Sequence, residues 1–338
     1  MNFIHSLEHL ALSKVAVEIY TSPEVREYER KLVQPFYYTY NAFWEPFVWE
    51  KVSSWVPFEV IQDKIVGAIK PLSNELLMWK ADHCKILGPN AEEKISFCWK
   101  PEGTIDRLET AKSLIHDKDF TIGQRFILAC YYWLKDEAIQ LWEKMSPSDF
   151  ESVEEILICG IFARGLPTIL EQWIKWLGDG ADCEKYYVYI GKLIQYHIKV
   201  PPPADLWQKL TREFPTERAL YILEEHWQSS FGRNYLSKMN TTQQMKIFKQ
   251  ASFKTARLFL NWPLQCRFLE VTKCLREYFT EEVYISIFKV IVREKINRQF
   301  RDFDYKGLLK NLWRQSSQKV KEYAINHPES EKFIEYIY

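Results

Sequence analysis

Apolar residues recur at intervals of three and four along most of this sequence. The first such stripe consists of Leu7, Leu10, Ala11, Val15 and Ile19. This spacing puts the apolar side chains on one face of an α-helix. Only 11 of the 338 residues are glycine, whereas tight hairpins and phosphate-binding loops usually need more. The sequence therefore predicts an all-α protein.

Proline and hydroxyl residues mark where several helices should begin. Ser22-Pro23-Glu24 combines an N-cap, a first-turn proline and an early acid, and Ser54 to Pro57 and Ser146-Pro147 are similar. One short extended piece is expected from Ile95 to Trp99, before a turn at Pro101-Glu102-Gly103. A single strand of this length cannot form a sheet, so the all-α prediction is unchanged.

Tryptophan spacing indicates a repeat in the later part of the chain. Trp142, Trp173 and Trp207 are 31 and 34 residues apart. Such periods are typical of solenoids, in which each helix pair buries its apolar face against its neighbours. We expect stacked antiparallel helices forming solenoid-like, degenerate repeats over residues 101–338, preceded by an aromatic-rich helical region over residues 1–100. An irregular helical bundle is the alternative.

Charge and cysteine content limit the class of protein. The chain has 45 basic and 45 acidic residues, which argues against a surface committed wholly to nucleic acid or anionic lipid. The seven cysteines have no paired spacing, as expected in a reducing compartment. No apolar run approaches the roughly 20 residues that a membrane span requires. We expect an intracellular protein, cytoplasmic or nuclear, with no membrane partner.

The sequence assigns no catalytic residue, metal site or cofactor. It lacks the nucleophile elbow, the P-loop, the H-E-x-x-H zinc motif and the dinucleotide-binding glycines. His83-Cys84 with Cys98 is the nearest approach to a zinc site, but a second close ligand pair is missing. Glu224-Glu225-His226 and Asp302-Phe303-Asp304 also lack a partner constellation. An enzyme is therefore not the favoured interpretation.

The segment from Pro35 to Trp55 holds more aromatic side chains than one helix face can bury. Core packing is the simplest explanation, and a protein interface or a membrane interface are the alternatives. If the surplus is a binding surface, we expect Phe43, Trp44, Phe47 and Trp49 to form it.

A second candidate surface is the basic stretch over residues 289–321. Arg298, Arg301 and Arg314 could contact phosphates while neighbouring aromatic rings stack on bases. Acidic residues interrupt the stretch, and its spacing also fits ordinary amphipathic helices. Nucleic-acid binding is therefore a secondary hypothesis, and a nucleic-acid partner is not expected.

Two runs of sequence resemble a group of uncharacterised arthropod proteins, especially from spiders. One run extends from Cys98 to Lys112 and begins Cys-Trp-Lys-Pro-Glu-Gly, and the other extends from Arg125 to Tyr132, followed by Leu141-Trp142. The resemblance covers most of the chain from Ser6 onward. It implies no activity, cofactor or functional residue.

Two shorter segments resemble adaptor-binding boxes of ubiquitin ligases. Ser6-Leu7-Glu8-His9-Leu10-Ala11 is similar to the opening of a SOCS box, which binds elongin, although such boxes usually have Cys where this chain has Ala11. Val56 to Ile61, with Ile65 after it, resembles the start of an F-box, which binds a Skp-type adaptor. Both resemblances imply a substrate receptor of a ubiquitin ligase.

Taken with the missing catalytic motifs, the helical periodicity favours a non-catalytic scaffold for protein–protein interaction. Helical arrays commonly hold peptides or partner helices on extended surfaces. Its partner is not identified by the sequence.

Overall fold

Helices dominate the described part of the chain. The computed structural model describes residues 5–159, 166–182, 185–189, 233, 236 and 239–338, and these contain no β-strand. The predicted all-α class is therefore confirmed. Trp207 and Glu224-Glu225-His226 lie outside the described residues.

The α-helices of the described residues are α1 (Leu7–Thr21), α2 (Pro23–Lys31), α3 (Glu45–Trp55), α4 (Glu59–Leu87), α5 (Arg107–His116), α6 (Ile122–Tyr131), α7 (Lys135–Trp142), α8 (Pro147–Cys159), α9 (Leu166–Gly178), α10 (Thr241–Gln250), α11 (Ser252–Leu258), α12 (Phe268–Leu275), α13 (Glu281–Val290), α14 (Tyr305–Gln315), α15 (Gln318–Ile325) and α16 (Glu331–Ile334). A π-helix, Ile291–Ile296, follows α13 directly. Short 3-10 helices are Asn41–Phe43, Ala91–Glu93, Gln265–Arg267 and Arg276–Tyr278.

Helix starts follow the sequence signals closely. The helix α2 begins at Pro23 and α8 begins at Pro147, as predicted. The start expected between Ser54 and Pro57 lies slightly later, because α3 continues to Trp55 and α4 begins at Glu59. Proline suits these positions because the first N–H groups of a helix have no intrahelical partner.

The chain forms two compact units. The first contains residues 1–76, 99–104 and 239–338, and the second contains residues 77–98 and 105–238. The first unit is therefore built from segments far apart in the sequence. The sequence-based division into residues 1–100 and 101–338 reflects sequence character rather than packing and stays a prediction.

In the second unit, α6 contacts α5, α7, α8 and α9. Its side chains from Phe126 to Cys130 are fully buried. A helix that is apolar on all sides is expected at the centre of a core. A buried ion pair lies at one side of this unit, where Arg107 Nη1 is 2.6 Å from Asp82 Oδ2.

In the first unit, α13 contacts α11, α15, α16 and the π-helix. The loop of residues 99–104 is held in the same unit, because Trp262 Nε1 donates to the Gly103 carbonyl at 2.9 Å. Gly103 has a φ of +78°, and a Cβ atom there would lie 2.9 Å from Trp262 Cζ2. Glycine is thus required both for the predicted turn and for the close approach of the indole.

The N-terminal and C-terminal parts of the first unit meet at Gly67. A Cβ atom on Gly67 would lie 2.6 Å from the backbone oxygen of Arg301. Pro71 lies inside the same helix and lacks the N–H that would otherwise bond to the Gly67 carbonyl. This stretch of α4 therefore packs directly against the backbone that follows the π-helix.

Candidate functional site

The buried carboxylate of Glu29 organises the start of the aromatic segment. Its Oε1 accepts hydrogen bonds from the Phe36 N–H at 2.9 Å and from Ser73 Oγ at 2.6 Å. Its Oε2 accepts from Tyr20 Oη at 2.9 Å and forms an ion pair with Arg26. A buried charge is tolerated when it is paired and hydrogen-bonded in this way. Nothing in the local sequence pattern distinguishes Glu29 from the solvated acids around it.

The four aromatic residues predicted as a binding surface do not share one environment. Trp44 is 1% exposed and stacks on Phe36, with ring centroids 4.9 Å apart. Phe47 is half-buried and stacks on Tyr28 at 4.1 Å, and Trp49 is half-buried. Phe43 is 65% exposed. Part of the aromatic surplus is therefore core, and a binding role for these four residues stays a prediction.

Four large apolar side chains are exposed at the end of this segment and in the six residues that follow it. The exposed fractions are 61% for Trp55, 65% for Phe58, 72% for Val60 and 39% for Ile61. We call these four residues the apolar corner. Exposed apolar patches on folded domains commonly mark interaction sites, and tryptophan is enriched at the energetic centres of interfaces.

The turn that presents the apolar corner is held in place by the core. The Gln62 side chain is buried, and its Nε2 donates to the Val56 carbonyl at 2.6 Å. One turn further along α4, Ile65 and Ile69 are fully buried. The sequence analysis named none of these four residues as a binding residue. Phe58 and Val60 could have been recognised as exposed, because they fall outside the apolar stripe of α4 that is buried.

The three arginines predicted to bind nucleic acid differ in the partners that their side chains have within the protein. Arg301 Nη1 is 2.8 Å from Glu45 Oε2, and the same guanidinium pairs with Asp63. Arg298 Nη1 donates to Tyr37 Oη at 3.1 Å. Arg314 is exposed on α14, and no ion pair to it occurs in the described part of the chain. The structure therefore does not bring these three arginines together as one free basic surface.

Two buried lysines lie near the ring of Phe300. Lys295, in the π-helix, has its ammonium 4.6 Å from the ring centroid, and the Lys70 ammonium is 5.7 Å from it. Lys70 also donates to Asn41 Oδ1 at 2.9 Å and to the Arg298 carbonyl at 2.6 Å. Burial lowers the pKa of Lys70 to about 8 and also lowers the pKa of Lys295. These bonds connect α4 to the C-terminal part of the unit, so the lysines have a structural role.

Asp302 is the carboxylate of this buried polar cluster. Burial raises its pKa to about 6, against the opposing influence of Lys295 and of a hydrogen bond from Tyr305. That bond joins Tyr305 Oη to Asp302 Oδ2 at 3.0 Å, whereas the buried Oδ1 accepts no hydrogen bond from the part of the chain that the structure describes. The position of Asp302 next to Phe303 and Asp304 thus reflects core packing rather than a metal-binding pair.

Asp302 gives the folded chain a defined pH dependence. We expect the free energy of unfolding of the wild type, relative to Asp302→Asn, to fall between about pH 4 and pH 6 and then to level off. The folded state keeps the proton to about pH 6, whereas an unfolded aspartate releases it near 3.8, so ionisation penalises only the folded state. The total change is roughly 2–3 kcal/mol. Urea denaturation of both proteins at several pH values below 7 measures it. In this range Lys70, with a pKa of about 8, stays protonated and does not contribute to the change. A difference that does not vary with pH would contradict this assignment.

The histidine and cysteine residues considered as metal ligands have other contacts. His83 is 1% exposed, with Nδ1 2.7 Å from the Trp79 carbonyl and Nε2 2.7 Å from Tyr132 Oη. Over the described ranges, no three His, Cys, Asp or Glu side chains are grouped closely enough to hold a metal ion. In the same ranges, no helix has both the length and the apolar character to cross a membrane.

Comparison with known proteins assigns this chain to no family. The resemblance to the arthropod group stays a prediction, as do the two adaptor-box resemblances. This chain matches no protein-family model, no curated protein and no solved structure, so its functional assignment rests on the residues described above.

Proposed function

We propose that this chain is a non-catalytic protein-interaction module whose partner binds the apolar corner. The observation that carries this proposal is the exposure of four large hydrophobic side chains within the seven residues from Trp55 to Ile61. A partner that covered them would remove apolar surface from water, which is the main driving force of most protein association.

Stacked, solenoid-like helices over residues 101–338 remain part of this proposal. Contacts between the consecutive helices α5, α6 and α7 support it. The central position of α6 among four helices instead favours the alternative of an irregular bundle. Either arrangement would supply a rigid support for a binding surface.

We expect the double substitution Trp55→Ala/Phe58→Ala to lower partner affinity at least tenfold without unfolding the chain. Large exposed side chains at the centre of an interface commonly contribute 2 kcal/mol or more, which corresponds to about 30-fold in affinity. The test is capture of partners from lysate with the full-length chain, identification by mass spectrometry, and titration of the purified partner. Circular dichroism and thermal melting verify that each variant is folded.

Val33→Ala is the control, because Val33 is a fully exposed apolar residue that lies outside the corner. Support requires a partner that the control retains and the double variant loses. A partner retained equally by both proteins places the binding surface elsewhere and rejects the apolar corner.

A substrate receptor of a ubiquitin ligase is the second candidate function. Its support is that residues of both adaptor-box resemblances are exposed, with Leu7 at 85% and Phe58 at 65%. An ion pair between Glu8 and Lys64 also connects the two segments. This candidate is tested with purified elongin and a purified Skp-type adaptor against the full chain and its Leu7→Asp and Phe58→Asp variants. Adaptor binding lost in the matching variant supports it, and absence of binding to both adaptors rejects it.

A further inference from the structure

Three cations form a straight ridge on the outer face of α14. Lys306, Lys310 and Arg314 follow one another at intervals of four residues, which places them in one row about 6 Å apart. Another face of the helix is buried through Tyr305, Leu308, Leu309, Leu312 and Trp313. Of the ridge itself, Lys306 and Arg314 are exposed and Lys310 is half-buried. Packing therefore fixes the orientation of the helix and leaves this basic ridge directed away from the core.

The basic ridge differs from three other cations of the stretch over residues 289–321. Lys289 pairs with Glu329, Arg301 with Glu45 and Asp63, and Lys319 with Glu281. None of the three ridge residues pairs with a carboxylate in the described part of the chain. Like charges four residues apart repel each other, and Lys306 also lies in the first turn, where the helix dipole disfavours a positive charge. An anionic partner would relieve both effects.

The second unit of the chain carries a surface of matching chemistry. Glu151, Glu154 and Glu155 share one face of α8 and are all exposed. Within the described ranges none of these carboxylates forms an ion pair. The face therefore presents three negative charges, the same number as the positive charges of the ridge. Because the net charge of the chain is zero, two copies do not repel each other as wholes.

We propose that the basic ridge of one copy binds the acidic face of α8 on a second copy, which produces self-association that weakens as salt is added. The two surfaces are different, so the contact joins unlike parts of the two copies. Nucleic acid is the less favoured occupant. Three of the four aromatic rings of the same stretch, those of Phe300, Tyr305 and Trp313, are buried and are not available to stack on bases.

The test is sedimentation velocity of the full-length chain over a range of concentrations and ionic strengths. The wild type should associate at about 0.01 M salt, where the Debye length is about 30 Å, and should be monomeric near 1 M, where it is about 3 Å. Both Lys306→Glu/Lys310→Glu/Arg314→Glu and Glu151→Lys/Glu154→Lys/Glu155→Lys should lower the association constant at least tenfold. An equimolar mixture of the two charge-reversed proteins should associate again, because each supplies the complement of the other.

A matched control separates this contact from a general effect of net charge. Lys14→Glu/Lys118→Glu/Lys246→Glu reverses three exposed lysines elsewhere and changes the net charge by the same amount as the ridge variant. It should keep the wild-type association constant. Loss of association in this control, or a wild type that is monomeric at low salt at every concentration, overturns the proposal. A monomer that binds a single-stranded RNA oligonucleotide through the ridge would also overturn it and would identify a phosphate-binding surface instead.

Discussion

Replacing Trp44 by Ala should lower the free energy of unfolding of the first unit by about 3–5 kcal/mol, the usual range for truncating a buried aromatic ring. Trp44 is 1% exposed and stacks on Phe36, which is itself fully buried. Its indole Nε1 has no hydrogen-bond partner among the described residues, so the loss would come from packing and from the cavity left behind rather than from a broken polar contact. Urea denaturation of the full chain, followed by circular dichroism, measures this change.

Trp55→Ala is the matched control for this substitution. It removes the same ring from the end of the adjoining helix, but Trp55 is 61% exposed. We expect a change in unfolding free energy of less than about 0.5 kcal/mol, as for most surface substitutions. Equal losses in the two variants would contradict the division of the aromatic segment into core and surface. A specific effect of Trp55 on partner binding can then be interpreted without a correction for stability.

Asp82→Ala should lower the free energy of unfolding of the second unit by a similar amount, about 3–5 kcal/mol. The Arg107 and Asp82 side chains are only 6% and 10% exposed, and their charged atoms are 2.6 Å apart. Removing the carboxylate leaves the guanidinium buried without its counter-ion, and this desolvated charge accounts for most of the expected loss. Urea denaturation of the wild type and the variant, at a salt concentration common to both, measures it.

Two further variants make the interpretation of Asp82→Ala specific. Glu109→Ala removes a carboxylate from a surface ion pair, in which the Glu109 side chain is 54% exposed and the Lys112 side chain is 41% exposed. This substitution should change stability by less than about 1 kcal/mol. Asp82→Leu/Arg107→Met replaces both buried charges with apolar groups and should recover most of the stability. An Asp82→Ala variant as stable as Glu109→Ala would show that the pair is solvated.

The helices could be predicted from the sequence because the signals for them are local. Apolar spacing predicted the helix α1, and Ser22-Pro23 and Ser146-Pro147 marked the starts of α2 and α8. The predicted apolar face of α1 was wrong, because its buried side chains are those of Ser13, Ala16, Val17, Ile19 and Tyr20, whereas Leu7 is 85% exposed. A helix is determined largely by residues within one turn of each other, so a single sequence is sufficient to recognise it.

The candidate site could not be predicted in the same way, because its character depends on residues distant in the sequence. Trp44 and Trp55 belong to the same aromatic segment of the sequence, and tertiary packing makes one buried and the other exposed. Likewise, Arg301 was predicted as a free cation, but it pairs with Asp63, which lies 238 residues away. A periodic pattern indicates that a helix forms, but it does not identify the partner of an individual charge.

The first unit is built from early and late segments of the chain, and this determines when the unit can form during synthesis. Residues 1–76 pack with residues 239–338, so the early segment leaves the ribosome long before its partners exist. At 5–20 residues per second this interval lasts on the order of tens of seconds, and contacts between such distant segments form slowly. Throughout that time Gly67 and Lys70 of α4 lack the backbone of Arg301 and Arg298, against which they pack in the folded unit. The nascent chain is therefore expected to depend on chaperones, and a fragment ending before residue 239 should not form the first unit at all.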